Sequence, residues 1–341
     1  SVSLALPASG AASFALGIHS KTRQMLFSCL TASSVVVAPV PRRAALAIGA
    51  AAASLRPQAA CAAVEAGASP ASAMTLGTIL ESTSALPETT RAPASLVLRP
   101  EYGIESADVL YPEWALGRWA ARSTLRSVLA PAGDELFSPG RNGTEALRRA
   151  RLEAGTALEY PVKWIQPGGR VVVDREYNVA SISRATMGPE AVQDARADGP
   201  DHLTMVLRPA GAPSGSLFSA DLRVVGRRTD PYPLAERPNF FACAETTRQT
   251  VTTVAGERAA PGPPRAPLIK EIETICTYEL DSRDSRVMRG QQRTASFLVP
   301  DAGYTGDPSL AELAASRLAR APNGRIMAVD VRVYDVTYTR L

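Results

Sequence analysis

The chain is predicted to fold as a mainly β protein, an antiparallel β-barrel of about eight or nine strands with two or three short peripheral helices. Three observations predict it. From Trp114 onward, segments rich in β-branched and aromatic residues recur between Gly/Pro turns. In the closing segment Met327, Val329, Val331 and Val333 alternate with polar partners, and then Tyr334, Val336 and Tyr338 take over the apolar role. Such a change of phase predicts a β-bulge, the device by which a long strand absorbs the curvature of a barrel. The helical stretches, finally, do not alternate with strands regularly enough for βαβ units, so the pairing is expected to be antiparallel.

Before the barrel, composition speaks of an address. Residues 1–62 contain no Asp or Glu, yet hold Lys21, Arg23, Arg42, Arg43 and Arg56 among Ala, Ser and Val. That is the composition of a targeting leader. Arg42-Arg43 directly precedes the apolar run Ala44 to Leu55, which is followed by the small-residue site Ala60-Cys61-Ala62. This resembles a twin-arginine signal. The run is about a dozen residues, short of the roughly 20 that a permanent span needs. An apolar opening at Val2–Leu16 and the acid-free stretch behind it suggest layered targeting: a transit peptide into a plastid (chloroplast), then export to the thylakoid lumen.

Of the 37 basic residues five lie in this leader and of the 33 acidic ones none, so the remainder is close to neutral and the pI near 9.0 belongs to the leader. Nucleic-acid and anionic-membrane binding are therefore not expected. Residues 63–110, with Pro70, Pro87, Pro93 and Pro100 among Ala, Ser and Thr, read as a flexible linker with at most one short helix near Met74–Ser82. Residues 111–341 are expected to form the single barrel domain.

Within that domain, strands are expected at about 114–129, 156–165, 169–177, 202–209, 216–228, 239–254, 267–280, 286–299 and 324–340. Helices are expected over Thr144–Ala154, over Asn178–Met187 ending at Gly188-Pro189, and from the Asp307-Pro308 cap to about Ala319. The proline-rich breaks Pro231–Pro238 and Pro261–Pro267 read as hairpin connections.

Several segments carry a resemblance: Tyr111-Pro112-Glu113-Trp114 with Gly117-Arg118-Trp119 and Ser123-Thr124-Leu125, then Arg170 to Asn178, Gly226-Arg227-Arg228, Glu271 to Thr274, and Tyr334 to Tyr338. Together these pieces, over about 110–341, resemble an uncharacterised domain family of cyanobacteria and photosynthetic eukaryotes, a domain of unknown function often found behind plastid leaders. The resemblance implies a setting and no catalytic residues. A weaker one is to lipocalin-like (calycin-like) barrels, in which a Gly-x-Trp on the first strand packs near a basic residue on a late strand. Gly117-Arg118-Trp119 and Arg340 match those parts, since a guanidinium over an indole face gains cation–π energy while closing the barrel base.

The chemistry to be placed on this frame is sparse. Beyond the leader the only histidine is His202, and there is no zinc, calcium or nucleophile-elbow motif, so no metal, cofactor or catalytic residue is expected. Asp174-Arg175-Glu176, Glu245, Arg248, Glu271, Glu273 and Arg293 place charges within strands. They are expected to form solvated outer faces, since charged residues are seldom fully buried, or alternatively to line a polar interior. Arg227-Arg228 has the forks to hold an anionic head group. The candidate ligand-binding residues are Trp114, Trp119, Arg175, Arg228, Glu245, Glu273, Arg293 and Arg340. Cys243 and Cys276 fall in neighbouring strands, either as a disulfide or as two buried thiols. The expected function is that of a non-catalytic lumenal barrel binding a small lipophilic or amphipathic molecule such as a lipid, pigment or quinone. The alternatives are an accessory or assembly protein of a photosynthetic thylakoid membrane complex and, third, an enzyme on the same scaffold.

Overall fold

The strand from Gly117 alternates in burial as its sequence does: Trp119, Ala121, Ser123 and Leu125 point inward, Arg118, Ala120 and Arg122 outward. A computed structural model, which describes residues 74–87, 93–137, 143–208, 210, 217–254, 268–298 and 325–341, assembles ten such strands into one sheet. They are β1 (Gly117–Leu129), β2 (Ala157–Ile165), β3 (Val172–Val173), β4 (Val192–Ala197), β5 (His202–Leu207), β6 (Leu217–Thr229), β7 (Phe240–Val254), β8 (Leu268–Leu280), β9 (Val287–Leu298) and β10 (Asp330–Arg340). The order is β3-β2-β1-β10-β9-β8-β7-β6-β5-β4, and every pairing between these strands is antiparallel. Each strand thus lies beside its sequence neighbours, except that β3 and β4 are the two edges, and the last strand pairs with the first. The result is an up-and-down meander curled into a half-barrel with one seam, between β3 and β4.

The curl is tight. Trp164 of β2 and Tyr278 of β8 are separated in the sheet by β1, β10 and β9, which in a flat sheet means roughly 19 Å at about 4.8 Å per strand. Their rings stand 6.0 Å apart, so the face that carries them is concave.

Among the described residues four α-helices accompany the sheet: α1 (Leu76–Ser84), α2 (Ala94–Val97), α3 (Gly143–Leu152) and α4 (Arg175–Met187). α4 connects the two seam strands. Its N-cap Asp174 accepts a hydrogen bond from the Tyr177 amide at 3.2 Å, and it stops at Gly188, whose φ of 109° suits glycine. Ile182 and Ala185 of α4 pack with the aromatic end of the concave face, while Ala180 and Met187 pack with Met205, Ala220 and Val251.

The mainly β, antiparallel, barrel-like architecture expected from the sequence is present, with differences in detail. The expected strand 169–177 shrinks to Val172–Val173, because the Asp174 cap starts α4 three residues before the predicted helix. β4 was not expected: Gln193, Asp194 and Arg196 give it no apolar run, yet they suit an edge strand that pairs only with β5. The bulge lies not in β10 but opposite it, at Arg126 of β1, between the pairs Leu125–Tyr334 and Ser127–Val333. The apolar phase of β10 changes because both faces are covered. Val331 packs with Leu129, Phe297 and Ala328 on the convex side, while Val336 and Tyr338 join the concave core.

What covers the convex side is the segment expected to be a linker. Leu76 and Leu80 of α1 bury against Phe240, Ala242, Ala244 and Ile275, and Leu96, Val97 and Leu98 are buried as well. The Asp230 carboxylate accepts from the first two amides of α1, at 2.9 Å from Leu76 and 3.2 Å from Gly77. Residues 75–87 and 93–110 therefore belong to the same packed unit as the sheet, and free flexibility does not describe them. The break Pro231–Pro238 does connect paired strands, β6 and β7. The leader, the Pro261–Pro267 break and the helix expected from Asp307 lie outside the described residues. Among those described, no helix is long and apolar enough to cross a membrane.

Candidate functional site

The candidate residues sort into three places. Trp119 and Arg340 are direct partners across β1 and β10, and the Arg340 guanidinium stands 4.3 Å from the centre of the fully buried Trp119 ring. Arg340 donates from Nη1 to the Leu116 carbonyl at 2.7 Å and from Nη2 to the Trp114 carbonyl at 2.8 Å. The Trp119 indole donates to the Ala115 carbonyl at 2.9 Å. Gly117 has φ of +115°, and a Cβ there would lie 3.1 Å from Arg340 Nη1, so glycine is what lets the fork reach the turn. Trp114 contributes its carbonyl, and its indole nitrogen has no partner. Above this base, Tyr111, Trp164, Phe241, Tyr278 and Tyr338 form a wall of rings with centroids 5.2–6.3 Å apart.

The second place is an ion cluster on the same concave face, built around the buried Arg227 with half-buried partners. Arg175, the first residue of α4, donates to both oxygens of Glu245 at 2.8 and 2.9 Å and to Asp108 at 2.6 Å. Arg227, directly opposite Glu245 and fully buried, donates to Glu245 at 2.8 Å, to Asp201 at 2.9 Å, and to the carbonyls of Ser106, Ala107 and Pro200. Burial pushes the Glu245 carboxyl up, but Arg175 and Arg227 outweigh it and hold the group below the usual carboxylate range. Burial likewise works against the Arg175 cation, and Glu245 with Asp108 more than offsets it.

This cluster clamps a strap, residues 103–111, across the seam. Arg227 donates its amide to the Gly103 carbonyl at 2.8 Å, Glu105 donates to the Arg227 carbonyl at 3.2 Å, and Tyr111 donates to the Val171 carbonyl at 2.8 Å. Gly226 makes the crossing possible, since a Cβ there would sit 3.0 Å from the Tyr102 carbonyl oxygen.

The third place is the convex face. Glu273 pairs with Thr246 and Ala295, on the pleat opposite to Glu245, and binds Arg293 and, at 2.8 Å, the Tyr102 hydroxyl. Arg293 also donates to the Leu96 carbonyl. Nearby, Arg99 and Arg248 both donate to the buried Glu271, which they hold ionised against the effect of burial. Arg228 lies here too, 3.9 Å from Asp230. Glu273 and Arg293 thus anchor the N-terminal cover, and the sheet separates them and Arg228 from Arg175 and Glu245. The solvated-face expectation fails for Glu271, Glu273 and Arg293, which the sheet buries as ion pairs, and for Glu245, which is half-buried between Arg175 and Arg227.

Sequence reasoning missed the groups with unspent hydrogen-bonding capacity. Arg227, Glu245, Thr274, Thr294 and Arg332 are successive partners on five adjacent strands, one row across the concave face. Thr294 Oγ1 and Arg332 Nη1 are buried without a partner, although Arg332 also pairs with Asp330 through Nε at 3.1 Å. Gln249, four residues beyond Glu245 on the same face and roughly 13 Å along β7, is 0% exposed, and neither atom of its amide has a partner. The only signal was the period-two series Glu245, Thr247, Gln249. Glu153, partly buried beside Arg332, has its carboxyl pushed up by burial, which Arg332 only partly opposes.

His202 stands apart, bonded to Asp221 at 2.8 Å with Arg223 on the same carboxylate. Among the described residues no group of three His, Cys, Asp or Glu could hold a metal. Cys243 and Cys276 are directly opposite across β7 and β8, both as thiols.

Residues 103–320 match the family model of a domain of unknown function, DUF6816. No curated protein and no solved structure matches the chain.

Proposed function

We propose, from the premise that the chain belongs to the DUF6816 family, that it is a non-catalytic, lipocalin-like protein that holds a small amphipathic molecule, a lipid, pigment or quinone, on its concave face. One observation carries this reading: Thr294 Oγ1 and Arg332 Nη1, direct neighbours across β9 and β10, are buried and unpartnered. Leaving such a group unpaired costs about 1–3 kcal/mol, and more when it is charged. A polar head group, such as a carbonyl oxygen accepting from both, would repay that cost. Gln249 supplies a second anchor further along β7, on the side of the Thr294–Arg332 row away from the aromatic rings, a spacing suited to an elongated molecule.

The ion pairs support the non-catalytic side of the reading. Glu245 and Glu273 are engaged by arginines and, for Glu273, a tyrosine hydroxyl, so neither is poised as an acid or base. The alternative of an assembly factor docking through a free linker loses its motive, since residues 75–87 and 93–110 are spent on packing. The leader of residues 1–62 supports an address in the thylakoid lumen of a plastid.

The test is thermal unfolding with a galactolipid, a prenylquinone and a chlorophyll in turn. At about a thousandfold excess over Kd, a ligand of the folded state adds about 4 kcal/mol. One class is expected to raise the midpoint, and a midpoint unmoved by all three would refute the reading.

A further inference from the structure

Cys243 and Cys276 occupy the row between the aromatic wall and the buried charges, with Thr229 of β6 and Gln292 of β9 as their outer neighbours. The register of β7 with β8 runs without a shift from Phe240–Glu279 to Val251–Leu268, and Leu280 donates its amide to the Asn239 carbonyl at 3.0 Å. That bond fixes the parity: 239 with 280, 241 with 278 and 243 with 276 are the pairs that exchange backbone hydrogen bonds. Cα atoms of such a pair lie about 5.5 Å apart, inside the 4.4–6.8 Å that a disulfide spans. Their Cβ atoms, at the wide end of the cross-strand range near 5.5 Å, are further apart than the roughly 3.8 Å a relaxed disulfide prefers. A bond can therefore close here, but only by drawing the strands together locally, which makes it readily reducible.

The two sulfurs differ in access and in partners. Cys243 is buried and Cys276 half-buried, so a reagent meets Cys276 first. The Cys243 sulfur lies 3.7 Å from the Tyr111 hydroxyl. Tyr111 ends the strap, its amide bonded to Val171 and its ring held among Trp164, Phe241 and Tyr278.

We propose that Cys243 and Cys276 form a reversible intramolecular disulfide and that its closure, by turning the Cys243 sulfur away from Tyr111, loosens the strap 103–111 that seals the half-barrel seam. With a small disulfide as oxidant, the Cys276 thiolate attacks one reagent sulfur. The reagent's S–S bond breaks, a mixed disulfide forms, and the first thiolate leaves and takes up a proton. Cys243 then gives its proton to solvent and attacks the Cys276 sulfur, expelling the second thiolate, which is protonated in turn. Two thiols have become one disulfide, and the two electrons reside in two reagent thiols. An added dithiol reverses both steps.

The experiment equilibrates the full chain across a series of oxidised to reduced glutathione ratios, caps remaining thiols with N-ethylmaleimide, and maps the peptides, which also separates Cys29 and Cys61. Parallel samples are read by amide hydrogen exchange. The expected result is a crosslinked peptide pair containing Cys243 and Cys276 at the oxidised end, lost with dithiothreitol, together with at least tenfold faster exchange over 103–111. Capping of both thiols at every ratio, or their capture by glutathione, Cys29 or Cys61, would overturn the disulfide. A crosslink with unchanged exchange would overturn its coupling to the strap. In Cys276→Ser, Cys243 is expected to remain an unmodified thiol, and glutathione bound to it would overturn the order of attack.

Discussion

The guanidinium of Arg340 stands 4.3 Å from the centre of the Trp119 ring while its two terminal nitrogens bond the carbonyls of Leu116 and Trp114. One side chain from the last strand thus fixes the turn that starts the first, and the two ends of the sheet's sequence are joined where they pair. Arg340→Ala is expected to lose about 2–4 kcal/mol, two bonds to a charged donor plus a cation–π contact. Arg340→Lys is expected to recover less than half, because one ammonium does not reach both carbonyls as a fork does. Urea unfolding of the three proteins measures this, and a lysine variant equal to wild type would count against the role of the fork.

Glu245 is the hub of the seam, and Glu245→Gln leaves Arg175 and Arg227 short of their shared charge. A loss of about 3–5 kcal/mol is expected, with faster hydrogen exchange over residues 103–111. The pH dependence has a definite sign. The folded-state carboxyl titrates below its ordinary value of about 4.5, so its stabilisation is complete above that value and fades as pH falls through the lower folded one. The stability gap between wild type and Glu245→Gln, from urea titrations at successive pH values, should narrow in acid below about pH 4.5. A gap that widens there would show the sign to be wrong.

Gly226 predicts a steric result. A Cβ at that position meets the Tyr102 carbonyl oxygen at 3.0 Å, so Gly226→Ala must push the strap outward by a few tenths of an ångström and Gly226→Val by more. Expected losses are about 1 and 2–3 kcal/mol. Thermal unfolding checks the order, and a valine variant as stable as wild type would mean that the strap does not lie on β6.

Thr294→Val and Gln249→Leu should separate binding from stability. Each removes a buried, unpartnered polar group, so the unliganded protein should keep its stability or gain about 1 kcal/mol. The rise in unfolding midpoint with ligand should at the same time fall by more than half. Equal destabilisation with and without ligand would make these residues structural.

The strands from β5 to β10 were legible because β-branched and aromatic runs between Gly/Pro breaks mark them locally, and Trp119 with Arg340 was legible because a Gly-x-Trp is a compact signal. Asp174 misled because a cap residue and a strand residue look alike until the fold places Tyr177 above it. The convex cover was hidden for a similar reason: Leu76, Leu80 and Leu96 to Leu98 are too few to announce a packed segment without the face they bury. The three places into which the charges sort depend on strand parity, and shifting Glu273 by one residue would move it from the convex face to the side of Glu245. Thr294, Gln249 and Arg332 carried no signal as single residues. Their meaning comes from lacking partners in three dimensions.

The most direct measurement of the binding role is native mass spectrometry of the full chain and its Thr294→Val variant, each purified without denaturant and offered the same lipid, quinone and pigment. Binding at the Thr294–Arg332 pair predicts a stoichiometric adduct of one of these classes on the wild type and its loss from the variant. A wild type observed at the mass of the polypeptide alone with every probe, or an adduct retained equally by the variant, would contradict it.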